Sequence, residues 1–269
     1  MSFKNFKQEF WSAHIQTELA KVTLLTDFCD FAFESESKNA DRVRILGVAR
    51  PTISNYTGTL NFEDLEDNSQ WLLLDKHKSF AYKIDDIDKA QSMPGVMETL
   101  QREHTVAMAE QEDKDVAAAV SGLTKITKST AISTTAGAKG AIDEAFVALW
   151  DNGVTLNAEC QIALTPWFYN LFKEYVVEKN TNNSQVIRTG VVGYYNGAEV
   201  KFTNNIYNDG TYDNMCVRTK KAIAFARQMQ EVEAVRPYNS FSDALKGLDV
   251  YGVKVVRPKE GICLRVKKS

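Results

Sequence analysis

Three histidines, four cysteines and two dense carboxylate runs are the residues of this 269-residue chain best suited to catalysis or metal binding. His14, His77 and His104 lie far apart. Nucleophilic hydrolysis needs an imidazole held by a third group, and a local motif such as Gly-x-Ser-x-Gly is absent. His104 lacks a second histidine four residues on, so it does not form the paired ligand of a metalloprotease helix. His77 sits between Lys76 and Lys78 and reads as part of a solvated basic patch. Cys29, Cys160, Cys216 and Cys263 form no Cys-x-x-Cys pair, which points to reduced, buried thiols rather than a metal site. The runs FEDLED (62–67) and AEQEDKD (109–115) read as solvated surface, and their spacing does not place two carboxylates for glycoside hydrolysis. Gly137-Ala138-Lys139-Gly140 lacks the preceding strand and the Lys-Ser/Thr ending of a phosphate loop. The residues therefore argue against an enzyme, and neither cofactor nor metal is expected.

Composition narrows the classes further. With 32 Lys+Arg against 35 Asp+Glu the formal net charge is -3, so only weak, non-specific contact with nucleic acid is expected. The basic tail residues Arg257, Lys259, Arg265, Lys267 and Lys268 read as a solvated edge. The opening MSFKNFKQEFWSAHIQ has no apolar signal-peptide core, and no run approaches the ~20 apolar residues of a membrane span. A cytosolic protein with no membrane partner is expected. At 44% hydrophobic residues the chain can build a large core, as one domain or two closely linked ones.

The elements that position these residues follow from periodicity. Trp11, Ile15, Leu19 and Val22 recur at helical spacing, predicting an amphipathic helix over 8–25 that packs on its own core or on a neighbour. Arg42, Val43, Arg44 and Ile45 alternate, as do Leu72, Leu74, Phe80, Tyr82 and Ile84, which predicts a long hairpin or flap carrying the acidic residues Glu63, Asp64, Glu66 and Asp67. An isolated two-stranded ribbon is marginal in water, so it needs something to lie on. Asp85, Asp86 and Asp88, or Ser92 before Met93-Pro94, can start a long helix reaching Val120. Its apolar face (Met97, Leu100, Ala107, Met108) is modest, and Glu98, Arg102, Glu103, Glu110 and Asp113 should keep it half wet. TKITKSTAISTTAGAKGAID reads as a hydroxyl-rich linker before a helix over 142–152. In AECQIALTPWFYNLFKEYVVEK a strand runs into a helix capped by Thr165 with Pro166 first, its buried face formed by Phe168, Leu171, Phe172, Tyr175 and Val176. Asn196-Gly197 predicts a tight hairpin turn. Ser242 to Gly247 reads as a capped helical turn between Arg236-Pro237 and Arg257-Pro258. The fold class is α+β, without a regular β-α-β repeat.

Four stretches carry a resemblance to a known family: FWSAHIQTELAK, DRVRILGVARPTISNYTG, SFAYKIDDIDKAQS and KAIAFARQMQEVEAVRPYNSFSDALKGLDVYGVKVVRP. The specific ones are KIDDIDKAQ and F-x-D-A-x-x-G-x-x-V-Y-G-x-K-V-x-R-P, the latter spanning Phe241 to Pro258. Over nearly its whole length the chain resembles the major capsid (coat) proteins of tailed bacteriophages with the Hong Kong 97-type fold. The resemblance implies an N-terminal arm (1–40), an extended β-hairpin loop (41–84) and a peripheral domain with a spine helix (85–141). It further implies an axial domain (142–228) and a return through the peripheral and axial domains (229–269).

The same resemblance implies a shell protein that self-assembles, as pentamers and hexamers of many copies, into the icosahedral capsid of a double-stranded DNA phage. The product would be the virion shell, assembled in the host bacterial cytoplasm with a separate scaffolding protein and a portal. An encapsulin-type nanocompartment shell is the alternative within the same fold. Trp11, Arg42, Arg44, Glu63, Asp64, Lys76, Lys78, Arg236 and Arg257 are the expected inter-subunit contacts. Tyr251, Val253 and Val255 should share one face of the closing strand, with Val250, Lys254 and Val256 on the other. No motif marks Lys76 or Lys78 as a covalent cross-linking residue.

Overall fold

The computed structural model describes residues 23–37, 41–46, 69–85, 96–155, 158–179, 192–238 and 241–268. In chain order these form a tight turn Thr26–Phe28, a one-turn helix Glu34–Ser37, and strands β1 (Arg42–Ile45), β2 (Gln70–Leu73) and β3 (Lys76–Asp85). Helix α1 (Val96–Ala119), strand β4 (Thr124–Ile132), helix α2 (Thr135–Asp151), strand β5 (Cys160–Leu164) and helix α3 (Pro166–Lys179) follow. The chain closes with β6 (Tyr194–Tyr195), β7 (Ala198–Phe202), β8 (Asp213–Thr219), β9 (Ile223–Val235), β10 (Ser242–Val255) and β11 (Gly261–Lys268).

The strands form three sheets: an antiparallel β1–β2 ribbon, a three-stranded β3-β10-β9 sheet, and a six-stranded mixed sheet ordered β4-β11-β8-β5-β7-β6. Helices α2 and α3 cover the six-stranded sheet, burying Ile142, Phe146, Leu149, Phe168 and Phe172 against Ile162, Val217 and Leu264. The last turns of α1 join the two larger sheets. There Val116, Ala117 and Val120 meet Phe225 and Tyr251 of the three-stranded sheet and Ala163, Cys216 and Cys263 of the six-stranded one. The predicted hairpin turn is present, with φ of 50° at Asn196 and 80° at Gly197, the left-handed pair that this turn requires. Both Arg-Pro pairs lie just past strand ends, β9 stopping at Val235 and β10 at Val255.

Several expectations are corrected. Residues 124–132 form strand β4, parallel to β11, and α2 begins at Thr135, where the Thr134 hydroxyl accepts a hydrogen bond from Gly137 N at 3.2 Å. Alternating burial in TKITKSTAI is weak because β4 is an edge strand, which hid it among hydroxyl residues. Ser242–Gly247 is extended, not helical. β10 is the central strand, with Gly247 opposite both Phe80 and Val232, and this two-sided pairing overrides the helix preference of Ala-Leu-Lys.

Thr165 does sit at the start of α3, its carbonyl accepting from Tyr169 N at 2.9 Å, but its hydroxyl turns to the Met215 sulfur instead of capping. The helix expected over 8–25 lies mostly outside the described residues, and its last part, from Thr23, is not α-helical. Asp86, Asp88, Ser92, Met93 and Pro94 also lie outside them. Among the described residues the flap pairs β1 with β2, whereas β3 leaves it to join β10.

Candidate functional site

The ribbon has a built seat, and the closing motif makes it. On β1 and β2, Val43, Ile45 and Leu72 point inward with Leu74, onto Ala224 and Ala226 of β9 and Val256. Small residues at 224 and 226 let the two layers approach. Gly252 of β10 lies under the ribbon backbone: a Cβ there would stand 2.2 Å from the Leu73 carbonyl oxygen, so only glycine fits. Two residues on, Lys254 Nζ donates to the Trp71 carbonyl at 2.7 Å, and Gln70 Nε2 donates to the Val256 carbonyl at 3.4 Å. Gly247, the other motif glycine, lies under the Phe80 ring, 2.2 Å from where a Cβ would be. The glycines and lysine of the motif thus fix where β2 and the β3 aromatic sit. As expected, Tyr251 faces the α1 cluster with Val253 and Val255, while Lys254 and Val256 face the ribbon.

The expected contact residues are dispersed. Trp11, Glu63 and Asp64 lie outside the described residues. Arg42 and Arg44 share the outer face of the ribbon, their guanidinium carbons 4.6 Å and 5.8 Å from the centre of the Trp71 ring. Lys76 and Lys78 lie on β3, and Lys78 pairs with Asp115 at 3.6 Å. Arg236 is exposed just past β9. Arg257 pairs within its own chain with Glu260 at 2.8 Å, while Glu260 also accepts from the Thr219 hydroxyl at 2.9 Å. Of the six among the described residues, the structure gathers Arg42 and Arg44 around one ring. Trp71, which brings them together, was not anticipated, although its alternation with Leu72 marks it as outward-facing.

The run AEQEDKD is not solvated surface. Glu112 and Asp113 are buried, and Asp115 is nearly so. Asp113 accepts from Leu24 N at 3.1 Å, Thr26 N at 3.1 Å and the Thr26 hydroxyl at 2.9 Å, tying the first described segment to α1. Asp115 accepts from the Tyr251 hydroxyl at 2.7 Å, and burial together with this bond pushes the phenol's pKa up. Arg227 Nη2 lies 2.5 Å from Glu112 Oε1, and its Nε 3.5 Å from the fully buried Asp249.

Two carboxylates thus face one guanidinium. Among the described residues, no N–H or O–H group forms a hydrogen bond to Glu112 Oε2 or to either Asp249 oxygen. Burial, then the contact with Asp249, pushes Glu112 up to about 8, and burial raises Asp249 as well. A proton on Glu112 gives Asp249 the donor it lacks and leaves a neutral cluster. Glu112 and Asp113 each stand four residues before a buried apolar residue of α1, Val116 and Ala117 respectively.

These arrangements hold elements of the fold together. His104 stacks on Tyr82 and Phe80, with ring centres 4.5 Å and 5.3 Å apart, and lies among aromatic rings instead of beside a nucleophile. Cys29, Cys216 and Cys263 are free and buried, and desolvation raises each thiol's pKa, which disfavours a reactive thiolate. Cys29 and the Leu25 carbonyl are bonded by Arg218, a fully buried arginine that locks the N-terminal turn to β8. A cleft of about 720 Å³ opens beside the end of α2, where Lys220, Lys221 and Arg257 face Asp30, Glu159 and Glu260. Its balanced charges select neither an anion nor a cation.

The sequence matches the phage capsid protein family over residues 70–264. No curated protein matches it. Among solved structures, the fold is similar to that of Mycobacterium phage Che8, with 25% identity over 90% of each chain and a TM-score of 0.79. It is also similar to the capsid structure of the cyanophage P-SCSP1u, at 16% identity over 86% of this chain and 85% of that one, TM-score 0.74. A virus-like particle from Pyrococcus furiosus shares the fold at 13% identity over 96% and 99% of the two chains, TM-score 0.63. The ribbon, the long helix and the two larger sheets are therefore the parts of a Hong Kong 97-like shell subunit, and the chain belongs to the phage capsid protein family.

Proposed function

We propose that this chain is the major capsid protein of a tailed double-stranded DNA bacteriophage and forms its icosahedral shell from pentamers and hexamers. The observation that carries the reading is the family match over 70–264 together with a likeness to the Che8 structure spanning nine-tenths of both chains. In this reading the three-stranded sheet and α1 are the peripheral domain and its spine, and the six-stranded sheet with α2 and α3 belongs to the axial domain. Residues 1–40 are the arm, 41–84 the extended loop apart from β3, which joins the peripheral sheet, and 229–269 the return. A separate scaffolding protein sets the shell size, a portal occupies one vertex, and assembly takes place in the host bacterial cytoplasm. Near-neutral charge supports a container whose wall grips packaged DNA only weakly, because strong phosphate contacts would resist filling and release.

Electron microscopy of purified particles, with nuclease-resistant DNA measured in the same fractions, tests this. Closed shells filled with DNA are expected, and a stable monomer of about 30 kDa under all conditions would overturn it. The nanocompartment alternative draws on the likeness to the Pyrococcus furiosus particle. It predicts shells that hold protein cargo and no DNA.

A further inference from the structure

The contacts of α1 fall into two groups of unequal strength. Its last turns are anchored: Asp113 binds Leu24 and Thr26, Asp115 binds Tyr251, and Val116, Ala117 and Val120 lie in the core shared by the two larger sheets. Before Glu112 the helix rests on much less. Met108 and Ala109 meet Phe80, Tyr82, Val232 and Leu245, and His104 stacks on the same two rings. The Glu112–Arg227–Asp249 cluster stands at the boundary between these groups, where α1 meets β9 and β10. Glu112 and Asp249 are both buried, and their carboxyl groups face each other closely enough to share a hydrogen.

We propose that this cluster is a proton-dependent latch: one proton shared by Glu112 and Asp249 keeps the first part of α1 closed on the β3-β10-β9 sheet, and its loss lets that part open while the turns from Asp113 onward stay seated. The surrounding charges give the reason. Asp115, the next carboxylate of α1 on this side, holds the Tyr251 hydroxyl of β10 and the Lys78 ammonium of β3. Lys78 stands opposite Asp249 and Lys76 opposite Tyr251 in the strand register, but Lys78 is engaged by Asp115. Glu34 of the one-turn helix, which packs on β9, brings a further carboxylate near Arg227. Among the described residues, Arg227 is the cation in contact with the pair. With the proton in place the three groups are neutral together and Asp249 has its donor. Without it two buried carboxylates share one guanidinium, and opening relieves them by letting water in. Glu112 is held at about 8 in the closed cluster and returns to the ordinary 4.5 once hydrated, so between these values only the closed form keeps the proton. Opening therefore becomes up to about tenfold easier per pH unit from about pH 5 to about pH 8, and levels off above. The latch belongs to the folded subunit and holds whether or not that subunit builds a shell.

Amide hydrogen exchange of the full chain tests this, measured from pH 6 to pH 8 at several low urea concentrations and corrected for intrinsic exchange. Undocked, so short a stretch of helix is marginal in water, and opening exposes its amides. Residues 102–112 should exchange faster than 116–120 and with little dependence on urea, as a local opening requires. Their corrected exchange should rise at least about tenfold from pH 6 to pH 8. In Glu112→Gln and in Asp249→Asn the rise should fall below about twofold, because an amide then donates to the remaining carboxylate and the cluster is neutral with no proton to lose. If one variant does not fold, the other and the wild-type series still decide. Three results overturn the latch: wild-type exchange that does not change with pH, exchange of 102–112 that matches 116–120 in rate and urea dependence, or an undiminished rise in a folded variant.

Discussion

Replacing Glu112 with glutamine should make the subunit more stable at neutral pH, although it removes a buried carboxyl group beside Arg227. The folded chain holds Glu112 at about 8, against 4.5 for the ordinary carboxyl, because burial and Asp249 both oppose its ionisation. Below pH 4.5 both folded and unfolded chains carry the proton, so the group costs nothing. Between 4.5 and 8 the unfolded chain releases the proton while the folded chain keeps it, so the folded state binds more protons and stability falls as pH rises. At about 1.4 kcal/mol per pH unit, the loss accumulates to roughly 3 to 4 kcal/mol at most by pH 7 and about 5 kcal/mol by pH 8.

Glutamine supplies an N–H to Asp249 and a carbonyl to Arg227, the same pattern as the protonated acid, without a titrating proton. Urea unfolding of unassembled subunits from pH 5 to pH 8.5 measures the difference. The variant should match wild type near pH 5 and exceed it by roughly 2–3 kcal/mol at pH 7. Coincident curves for the two proteins across this range, or a variant less stable throughout, would refute the shared proton.

Other substitutions probe the joints around this cluster. Gly252→Ala puts a Cβ 2.2 Å from the Leu73 carbonyl, so the ribbon must lift. A loss of about 1–3 kcal/mol in chemical unfolding, as for overpacked cores, should accompany faster proteolysis between residues 46 and 69. Gly140→Ala is the control with the opposite sign, since it lies in α2 with nothing within 4 Å of the added methyl. It should stabilise by about 0.5–1 kcal/mol. Asp113→Ala strands the buried amide and hydroxyl of Thr26 and the half-buried amide of Leu24. With ~1–3 kcal/mol per unsatisfied buried group, a loss of at least about 3 kcal/mol is expected, read by urea unfolding and by faster hydrogen exchange of those two amides.

What was legible in the sequence follows the range over which each signal acts. The Arg-Pro pairs, the Asn-Gly turn and the Pro166 helix start are set by the backbone preferences of two or three residues, and they lie where expected. The alternation in Arg42–Ile45 and around Leu72 also survives, because one face of that ribbon is buried by its own sheet. Ser242–Gly247 went the other way. Its local preference is helical, and only pairing with β3, more than a hundred residues upstream, and with β9, nine to fifteen residues upstream, makes it extended.

The carboxylates of α1 failed for a related reason. Glu112, Asp113 and Asp115 look like solvated surface until Thr26, Arg227, Asp249 and Tyr251 arrive from 87 to 137 places away along the chain to meet them. A glycine at 252 is likewise ambiguous in sequence, since a strand interior disfavours it and nothing nearby needs it. Its reason is the Leu73 carbonyl, supplied by the ribbon crossing above. The residues that identify this fold in sequence are therefore those where two separately folded layers touch. Their identity is fixed by long-range contact and not by local preference, so a short motif around them is specific to the family while revealing nothing about secondary structure.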